Sequence, residues 1–284
     1  MKVINKTSDL QAIIEQFKND GKSIGLVPTM GALHKGHLSL VKNSISNNDI
    51  TVVSIFVNPT QFNNPNDLAS YPRTVDKDLE LLQTIGCDIV FAPEADDIYS
   101  KSETDSRFEF DFEGLDKVME GKFRPGHFNG VVQIVSKLFD LVHPDRAYFG
   151  EKDFQQLAII KKLIEITGLP VEIYGIPIVR EENGLALSSR NQRLSPERRE
   201  EAKLIYETLT KANEDFKAGK NPSEIRRAVA QTFDNIKDYT LEYISIADEE
   251  TLREAHEFLP SKSYRAFIVV VVDGVRLIDN LHLK

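Results

Sequence analysis

The stretch from Ile24 to Leu40, Ile-Gly-Leu-Val-Pro-Thr-Met-Gly-Ala-Leu-His-Lys-Gly-His-Leu-Ser-Leu, constrains the fold more than any other part of the chain. Ile24 to Val27 is a short apolar run of the kind buried in a parallel sheet. Pro28 has no N–H for a sheet ladder, which predicts that the strand stops there. Gly31 and Gly36 permit a tight turn and close approach of a ligand. From His37 to Asn47, the residues Leu38, Leu40, Val41 and Ile45 fall on a helical stripe. Strand, glycine turn and helix in this order aim a helix N-terminus at the carboxyl edge of a sheet. Unpaired N–H groups and the positive end of the helix dipole favour an anion there.

His34 and His37 sit inside that turn. A neutral imidazole can donate a hydrogen bond to a phosphate oxygen, and an imidazolium adds charge. The segment has neither the Lys-Ser/Thr ending of a P-loop nor a G-x-G-x-x-G. Taken alone, the pair also fits two surface histidines on a loop, and the glycines fit plain turn punctuation. A zinc site has little support, because the single cysteine, Cys87, lies in an apolar segment and no second histidine pair follows.

At 284 residues the chain slightly exceeds the usual single-core size, so one large and one small domain are expected. A net charge of −9 argues against non-specific nucleic-acid binding while leaving room for a local basic pocket. One cysteine rules out an intramolecular disulfide and suits a reducing compartment. Met1 to Leu10 has no apolar signal core, and no run approaches the ~18 apolar residues of a membrane span. A cytoplasmic protein without membrane or nucleic-acid partners is the expectation.

Thr7 or Ser8 can cap a first helix closed by Gly21. Asp49 to Val57 reads as a second buried strand, ending in the polar loop Asn58-Pro59-Thr60-Gln61-Phe62. Gln61 offers a donor and an acceptor, which suits a small hydroxy acid or simply water. Thr74 to Gly86 reads as a helix and Asp88 to Phe91 as a strand, with Asn63 to Arg73 irregular between them. Arg107 to Phe112 alternates like an exposed strand. Glu120 to Val131 is a glycine-rich loop carrying Lys122, Arg124 and His127, and a long helix to Val142 follows.

Asp145 to Phe149 is a strand, and Gly150-Glu151-Lys152-Asp153-Phe154-Gln155-Gln156 opens a helix to Gly168. The first design is thus repeated. Lys152 is a flexible point charge suited to phosphate, and Asp153 can cap the helix, hold a ribose hydroxyl or hold magnesium. After a strand at Val171 to Val179, Ser188, Ser189 and Arg190 supply two hydroxyls and a guanidinium fork. That set can clamp a triphosphate or serve as a polar linker between domains. Beyond Ser195, two charged amphipathic helices, Glu197 to Lys217 and Pro222 to Asp234, precede strands at Leu241 to Ile246 and Arg265 to Val272. Val275 to Asn280 can pair with the latter across an Asp273-Gly274 turn. The expected fold class is α/β: a Rossmann-like parallel-sheet domain over residues 1–185 and a smaller α+β lid domain over 186–284.

His34-Lys35-Gly36-His37 resembles the H-x-G-H signature of the nucleotidyltransferase superfamily related to class I aminoacyl-tRNA synthetases. With Pro28-Thr29 before it, the chain resembles more specifically the pantothenate synthetase (pantoate–β-alanine ligase) family. Asn-Pro-x-Gln-Phe at 58–62, Tyr71-Pro72-Arg73, Arg-Pro-Gly-His-Phe-x-Gly-Val at 124–131, the string at 150–156 and Leu-Ser-Ser-Arg-Asn at 187–191 extend the likeness. Asn66 departs from it, since the family usually carries an acidic residue there. The resemblance implies ATP contacts at Met30, Gly31, Ala32, Leu33, His34, Lys35, Gly36 and His37. It implies others at Gly150, Glu151, Lys152, Asp153, Val179, Leu187, Ser188, Ser189 and Arg190. Gln61 and Gln156 are expected to contact pantoate. His37, His34, Lys152 and Arg190 are the expected catalytic groups. The implied reaction condenses pantoate with β-alanine through a pantoyl adenylate, releasing AMP and pyrophosphate. Magnesium is expected with ATP, without an assignable protein ligand, and a homodimer is implied. Two other readings stay open: a related nucleotidyltransferase that stops after adenylylating its substrate, and a nucleotide-binding regulator without catalysis.

Overall fold

Period-two alternation sorts the apolar residues of the first half of the chain onto two faces of one sheet. The computed structural model describes residues 1–99 and 110–284. Its first sheet comprises β1 (Lys2–Ile4), β2 (Ile24–Thr29), β3 (Ile50–Ile55), β4 (Ile89–Phe91), β5 (Arg146–Gly150) and β6 (Glu172–Ile176). Every pairing is parallel, in the order β1-β4-β3-β2-β5-β6. Leu26, Val52, Ile89, Phe91, Ala147 and Phe149 point to one face, where the Thr7–Asn19 and His127–Val142 helices cover them. Val27, Val53, Ile55, Val90 and Tyr148 point to the other, against the Lys35–Asn47 and Val75–Thr84 helices. This is the expected Rossmann-like arrangement.

The chain winds from β2 outward through β3 and β4, then returns to place β5 on the opposite side of β2. A crevice opens outside the carboxyl ends of the two strands where winding reverses. Gly31 to His37 follow β2, and Glu151 to Asp153 follow β5, so topology alone brings these turns together.

The second sheet is antiparallel, β7 (Tyr239–Asp248), β8 (Tyr264–Val272) and β9 (Val275–Leu283). Asp273 and Gly274 both take positive φ, as the two-residue β8–β9 hairpin requires. One face, with Ile246, Ile268 and Val270, packs on Ile205, Leu209, Ile225 and Val229 of the Leu204–Lys217 and Pro222–Phe233 helices. Ala247 and Phe267 on the other face meet Phe128, Val132, Ile159 and Leu163 of the first unit. The small sheet is therefore held between its own helices and the helices beside the crevice.

Several boundaries differ from the sequence reading. β2 runs through Pro28 to Thr29. By alternation the missing N–H of Pro28 faces β5, which pairs with β2 only at Gly25 and Leu26, so no ladder bond is lost. Pro65–Ala69 and Met119–Phe123 form short helices in segments read as irregular, the first capped by the Asn64 side chain. The helix read over 197–217 breaks at Ala202-Lys203 into Pro196–Glu201 and Leu204–Lys217. β1 is too short to register as a pattern. Of the strand expected over 107–112, residues 107–109 lie outside the described residues, and 110–112 form no strand.

The helix read as starting after Gly130 begins at His127, so Gly130 lies inside it. Its place there is explained by contact. A Cβ at Gly130 would lie 2.3 Å from the Thr60 carbonyl oxygen and 2.5 Å from the Gln61 nitrogen. Only glycine lets this helix touch the backbone of the Pro59–Gln61 turn. Gly130→Ala is therefore expected to lower stability by about 1–3 kcal/mol through overpacking and to displace Gln61. Urea unfolding measures it, and an unchanged midpoint would show that the two segments separate freely.

Candidate functional site

The Met30–His37 turn owes its shape to a carboxylate from the helix that follows β3. Asp78 is buried, and its two oxygens accept from the Ala32 N–H at 2.9 Å and the Leu33 N–H at 2.8 Å. Thr74 Oγ1 donates to it as well, at 3.2 Å. Burial lifts the Asp78 carboxyl above its ordinary pKa, against the pull of these three donors. The Ala32 carbonyl in turn accepts from Ser189 Oγ at 3.0 Å, tying the turn to the Ser189–Arg193 segment.

The turn delivers His34 and His37 as a fixed pair with ring centroids 4.0 Å apart. His34 is the N-cap of the Lys35–Asn47 helix: its Nδ1 accepts from the Gly36 N–H at 3.1 Å. His37 reaches back, and its Nδ1 accepts from the His34 N–H at 3.3 Å. Reciprocal capping of this kind satisfies two orphan donors at once. It also decides chemistry. A nitrogen that accepts a backbone N–H cannot carry a proton, so both neutral rings are Nε2–H tautomers. Burial, helped by the Lys152 charge, pushes the His34 pKa down to about 4. Burial, His34 and Lys152 hold His37 well below the ordinary histidine value. Two uncharged N–H donors thus line the cleft.

The opposite wall carries polar amides over an apolar floor. Gln61 is buried; its Oε1 accepts from Asn58 Nδ2 at 3.2 Å and its Nε2 faces Met30 Sδ at 2.8 Å. Asn58 is itself fixed by the Gly130 carbonyl at 3.0 Å and by the Tyr99 hydroxyl at 2.9 Å. Of the two adjacent glutamines, Gln155 turns inward to the Leu115 and Val118 carbonyls, and Gln156 lines the cleft. Val131, Ile134, Val135 and Leu138 of the His127–Val142 helix supply the apolar floor.

Three cations border the same space: Lys152, Arg190 and Arg124. The turn bearing Lys152 is gripped from the small sheet. Asn280 on β9 donates through Nδ2 to the Glu151 and Lys152 carbonyls, both at 2.9 Å. Arg190 pairs with Asp67 at 2.8 Å, and Arg193 joins that carboxylate at 3.1 Å. Burial alone would raise the Asp67 pKa, but the Arg190 bond and charge outweigh it and hold it below the ordinary value. Arg124 Nη1 lies 3.2 Å from His127 Nε2. His127 Nδ1 donates to the Gln61 carbonyl at 2.8 Å, so Nε2 is the acceptor for Arg124 and the ring is neutral. Burial and the Arg124 charge push its pKa to about 4.

The structure brings Met30, His34, Gly36, His37, Gln61, Gly150, Lys152, Asp153, Gln156, Val179, Leu187, Ser188, Ser189 and Arg190 to one cleft. It does not bring Gly31, Ala32, Leu33, Lys35 or Glu151 to the cleft wall. The Ala32 and Leu33 amides are taken by Asp78, and Lys35 is exposed. Sequence reasoning missed Asp78, Asp67 and Asn280, and it gave Asn58, Arg124 and His127 no individual role beyond their places in a polar or basic loop and in strings that carry the family likeness. Asp78, Asp67 and Asn280 find their decisive partners far away in the chain, so no local pattern marked them. Among the described residues no group of three His, Cys, Asp or Glu side chains could hold a metal ion.

A family model for pantoate-beta-alanine ligase matches residues 2–282. The chain is 54% identical over 285 residues to pantothenate synthetase of Christiangramia forsetii, each chain being covered completely. It is 53% identical to pantothenate synthetase of Bacteroides thetaiotaomicron, over all of this chain and 99% of that one. Pantothenate synthetase from Thermus thermophilus has a similar structure, with a TM-score of 0.92, 39% identity and complete coverage of both chains. Pantoate-beta-alanine ligase from Francisella tularensis, complexed with beta-gamma ATP and beta-alanine, has a TM-score of 0.82 at 37% identity, covering 99% of this chain and 97% of that one. By family model, sequence and fold alike, the chain belongs to the pantoate–β-alanine ligase (pantothenate synthetase) family.

Proposed function

We propose that this chain forms pantothenate in two steps at the cleft between β2 and β5. A carboxylate oxygen of pantoate attacks the α-phosphorus of ATP, and pyrophosphate leaves. The amine of β-alanine then attacks the acyl carbon of the pantoyl adenylate, forms the amide, loses a proton and expels AMP. The substrate carboxylate is the nucleophile of the first step, so no side chain needs to form a covalent intermediate. The protein's part is positioning and charge stabilisation.

One observation carries this reading: His34 and His37 are held as Nε2–H donors in a cleft that also exposes Lys152, Arg190, Gln61 and Gln156. In the proposed roles the two imidazoles donate to charge building on the transferred phosphate, with His37 the more important. Lys152 and Arg190 hold the β- and γ-phosphates, Ser188 and Ser189 support them, and Gln61 and Gln156 orient pantoate over the apolar floor. Magnesium would arrive with the triphosphate. Asp67 and Asp78 are committed to other partners, which leaves Asp153 as the cleft carboxylate able to add an oxygen beside the phosphates. Bound there, the ion would offset triphosphate charge. Residues 186–284 act as the covering domain in this reading. The family resemblance supports a homodimer, and the single buried thiol suits a reducing, cytoplasmic setting.

The reaction is tested by exchange of labelled pyrophosphate into ATP with magnesium and pantoate but no β-alanine. Pantoate-dependent exchange is the expected result. No exchange with nucleotide still bound would overturn the adenylate route. Exchange without later β-alanine-dependent AMP release would favour a nucleotidyltransferase that stops at the adenylate. His37→Ala is expected to slow exchange roughly a hundredfold or more with the fold intact. A near-normal rate would reject its role.

The tautomers are tested separately by nitrogen NMR of histidine-labelled protein. At pH 7 both rings should show protonated Nε2 and bare Nδ1, and His34 should titrate at about 4. The sign for stability follows. The folded pKa values of His34 and His127, both about 4, lie below the unfolded one, so the unfolded chain takes up protons first on acidification. Their stabilising contribution is present above the ordinary histidine pKa and is lost as pH falls toward about 4. The thermal midpoint should fall across that window. A ring protonated on Nδ1 at pH 7 would contradict the donor assignment.

A further inference from the structure

Of the two arginines bordering the cleft, Arg124 is the one whose charge is poorly matched by the protein. Its side chain is largely buried, yet only Nη1 has protein partners among the described residues, Glu120 at 3.4 Å and His127 at 3.2 Å. Glu120 is already satisfied. Arg276 on β9 grips both of its oxygens at 2.7 Å, and the Tyr243 hydroxyl donates at 2.9 Å. Burial would raise the Glu120 pKa, but Arg276 outweighs it and brings it to about 2. Arg124 therefore shares a carboxylate whose charge another guanidinium has largely neutralised. Burial and the neighbouring Arg190 and Arg276 charges keep its own pKa below the ordinary arginine value, despite Glu120. Arg190 is the contrast: the Asp67 hydrogen bond overcomes burial and raises its pKa.

Arg124 also stands at a junction. A smaller cavity of about 30 Å³ under the second sheet shares Arg124, His127, Lys152, Asp153 and Gln156 with the main cleft. Through His127, Arg124 lies one hydrogen-bonded step from Gln61. On the two-step reading, the pantoate carboxylate loses its charge in the adenylate and the phosphates have Lys152 and Arg190. The anion left without a partner is the carboxylate of the incoming amine.

We propose that Arg124 binds the carboxylate of the amino-acid substrate through its unused Nε and Nη2 donors, with the amine reaching the acyl carbon beside Gln61. This rests on the two-step reading above. The guanidinium fork offers two parallel donors to a planar carboxylate, and the Glu120–Arg276 pair and His127 hold the guanidinium in place. A short ω-amino acid would then be selected by the span between Arg124 and the acyl carbon.

The test compares the two half-reactions in Arg124→Gln and Arg124→Lys, using β-alanine and its uncharged amide, 3-aminopropanamide, as amines. In Arg124→Gln, kcat/KM for β-alanine should fall about thirtyfold or more beyond any change in pantoate-dependent pyrophosphate exchange. 3-Aminopropanamide should lose far less, so the preference for the charged amine collapses. Arg124→Lys should recover part of it, as a point charge without the fork. Equal losses for both amines, or an equal loss in exchange, would overturn the assignment, the latter pointing to pantoate or phosphate as the anion held. An unaltered protein that shows no pantoate-dependent exchange overturns the reaction reading and this inference with it.

Discussion

The site depends on one buried carboxylate. Gly31 and Ala32 both take positive φ, a conformation that costs a β-carbon-bearing residue such as Ala32 free energy wherever nothing holds it. Asp78 holds it, by accepting two successive amides of the turn. With the turn fixed, His34 arrives at the N-cap and His37 one turn later, and their reciprocal bonds follow. The same arrangement alters the simple picture of a helix N-terminus whose free amides wait for an anion. Those of Ala32, Leu33 and Gly36 already have partners. What faces the ligand space is imidazole Nε2–H, which a side chain can aim and the backbone cannot.

The small sheet does more than pack beside the site. Asn280 holds the carbonyls of the turn that carries Lys152, and its Oδ1 accepts from Arg265 at 2.6 Å. Asp279 beside it is paired with Arg180 at 2.6 Å. Arg276 and Tyr243 hold Glu120, next to Arg124. One face of the sheet thus serves a hydrophobic core, while β9 reaches the Lys152 turn through neutral amide bonds, and β7 and β9 reach Glu120 through charge-assisted ones. Moving this sheet would disturb Lys152 and Arg124 together, although neither belongs to it.

Much of this was legible in the sequence, and the limit has a physical origin. Repeated strand–glycine–helix units announce a parallel sheet because burial on both faces demands apolar runs at a regular spacing. The two turns at 31–37 and 150–153 were visible as ligand turns, and topology brings them together. Gln156 rather than Gln155 was selected by resemblance; in the structure Gln155 is consumed by backbone carbonyls, and Gln156 lines the cleft. Asp78 and Asn280 were invisible because each looks like an ordinary residue of its own element, one in a helix and one in a hairpin strand. Their importance lies in partners 45 and 128 residues away. Gly130 read as loop punctuation because a glycine within a helix is distinguished only by what its missing β-carbon would strike.

The neutrality of the histidines is the last element of the logic. A cleft lined with imidazolium groups would bind triphosphate tightly in the ground state and gain little when negative charge moves onto the transferred phosphate. Neutral Nε2–H groups are weaker partners at rest. On the proposed reaction their hydrogen bonds strengthen as the phosphate oxygens become more basic, so more of their effect falls on the transition state. In the proposed roles the permanent charges, Lys152 and Arg190, hold the phosphates without needing to discriminate between the two states. The fold enforces this division by simple means. Capping each Nδ1 with a backbone N–H makes protonation require the loss of a helix-capping bond, and burial beside Lys152 adds to that cost. The device that starts the helix thereby also sets the protonation state of the groups that line the cleft.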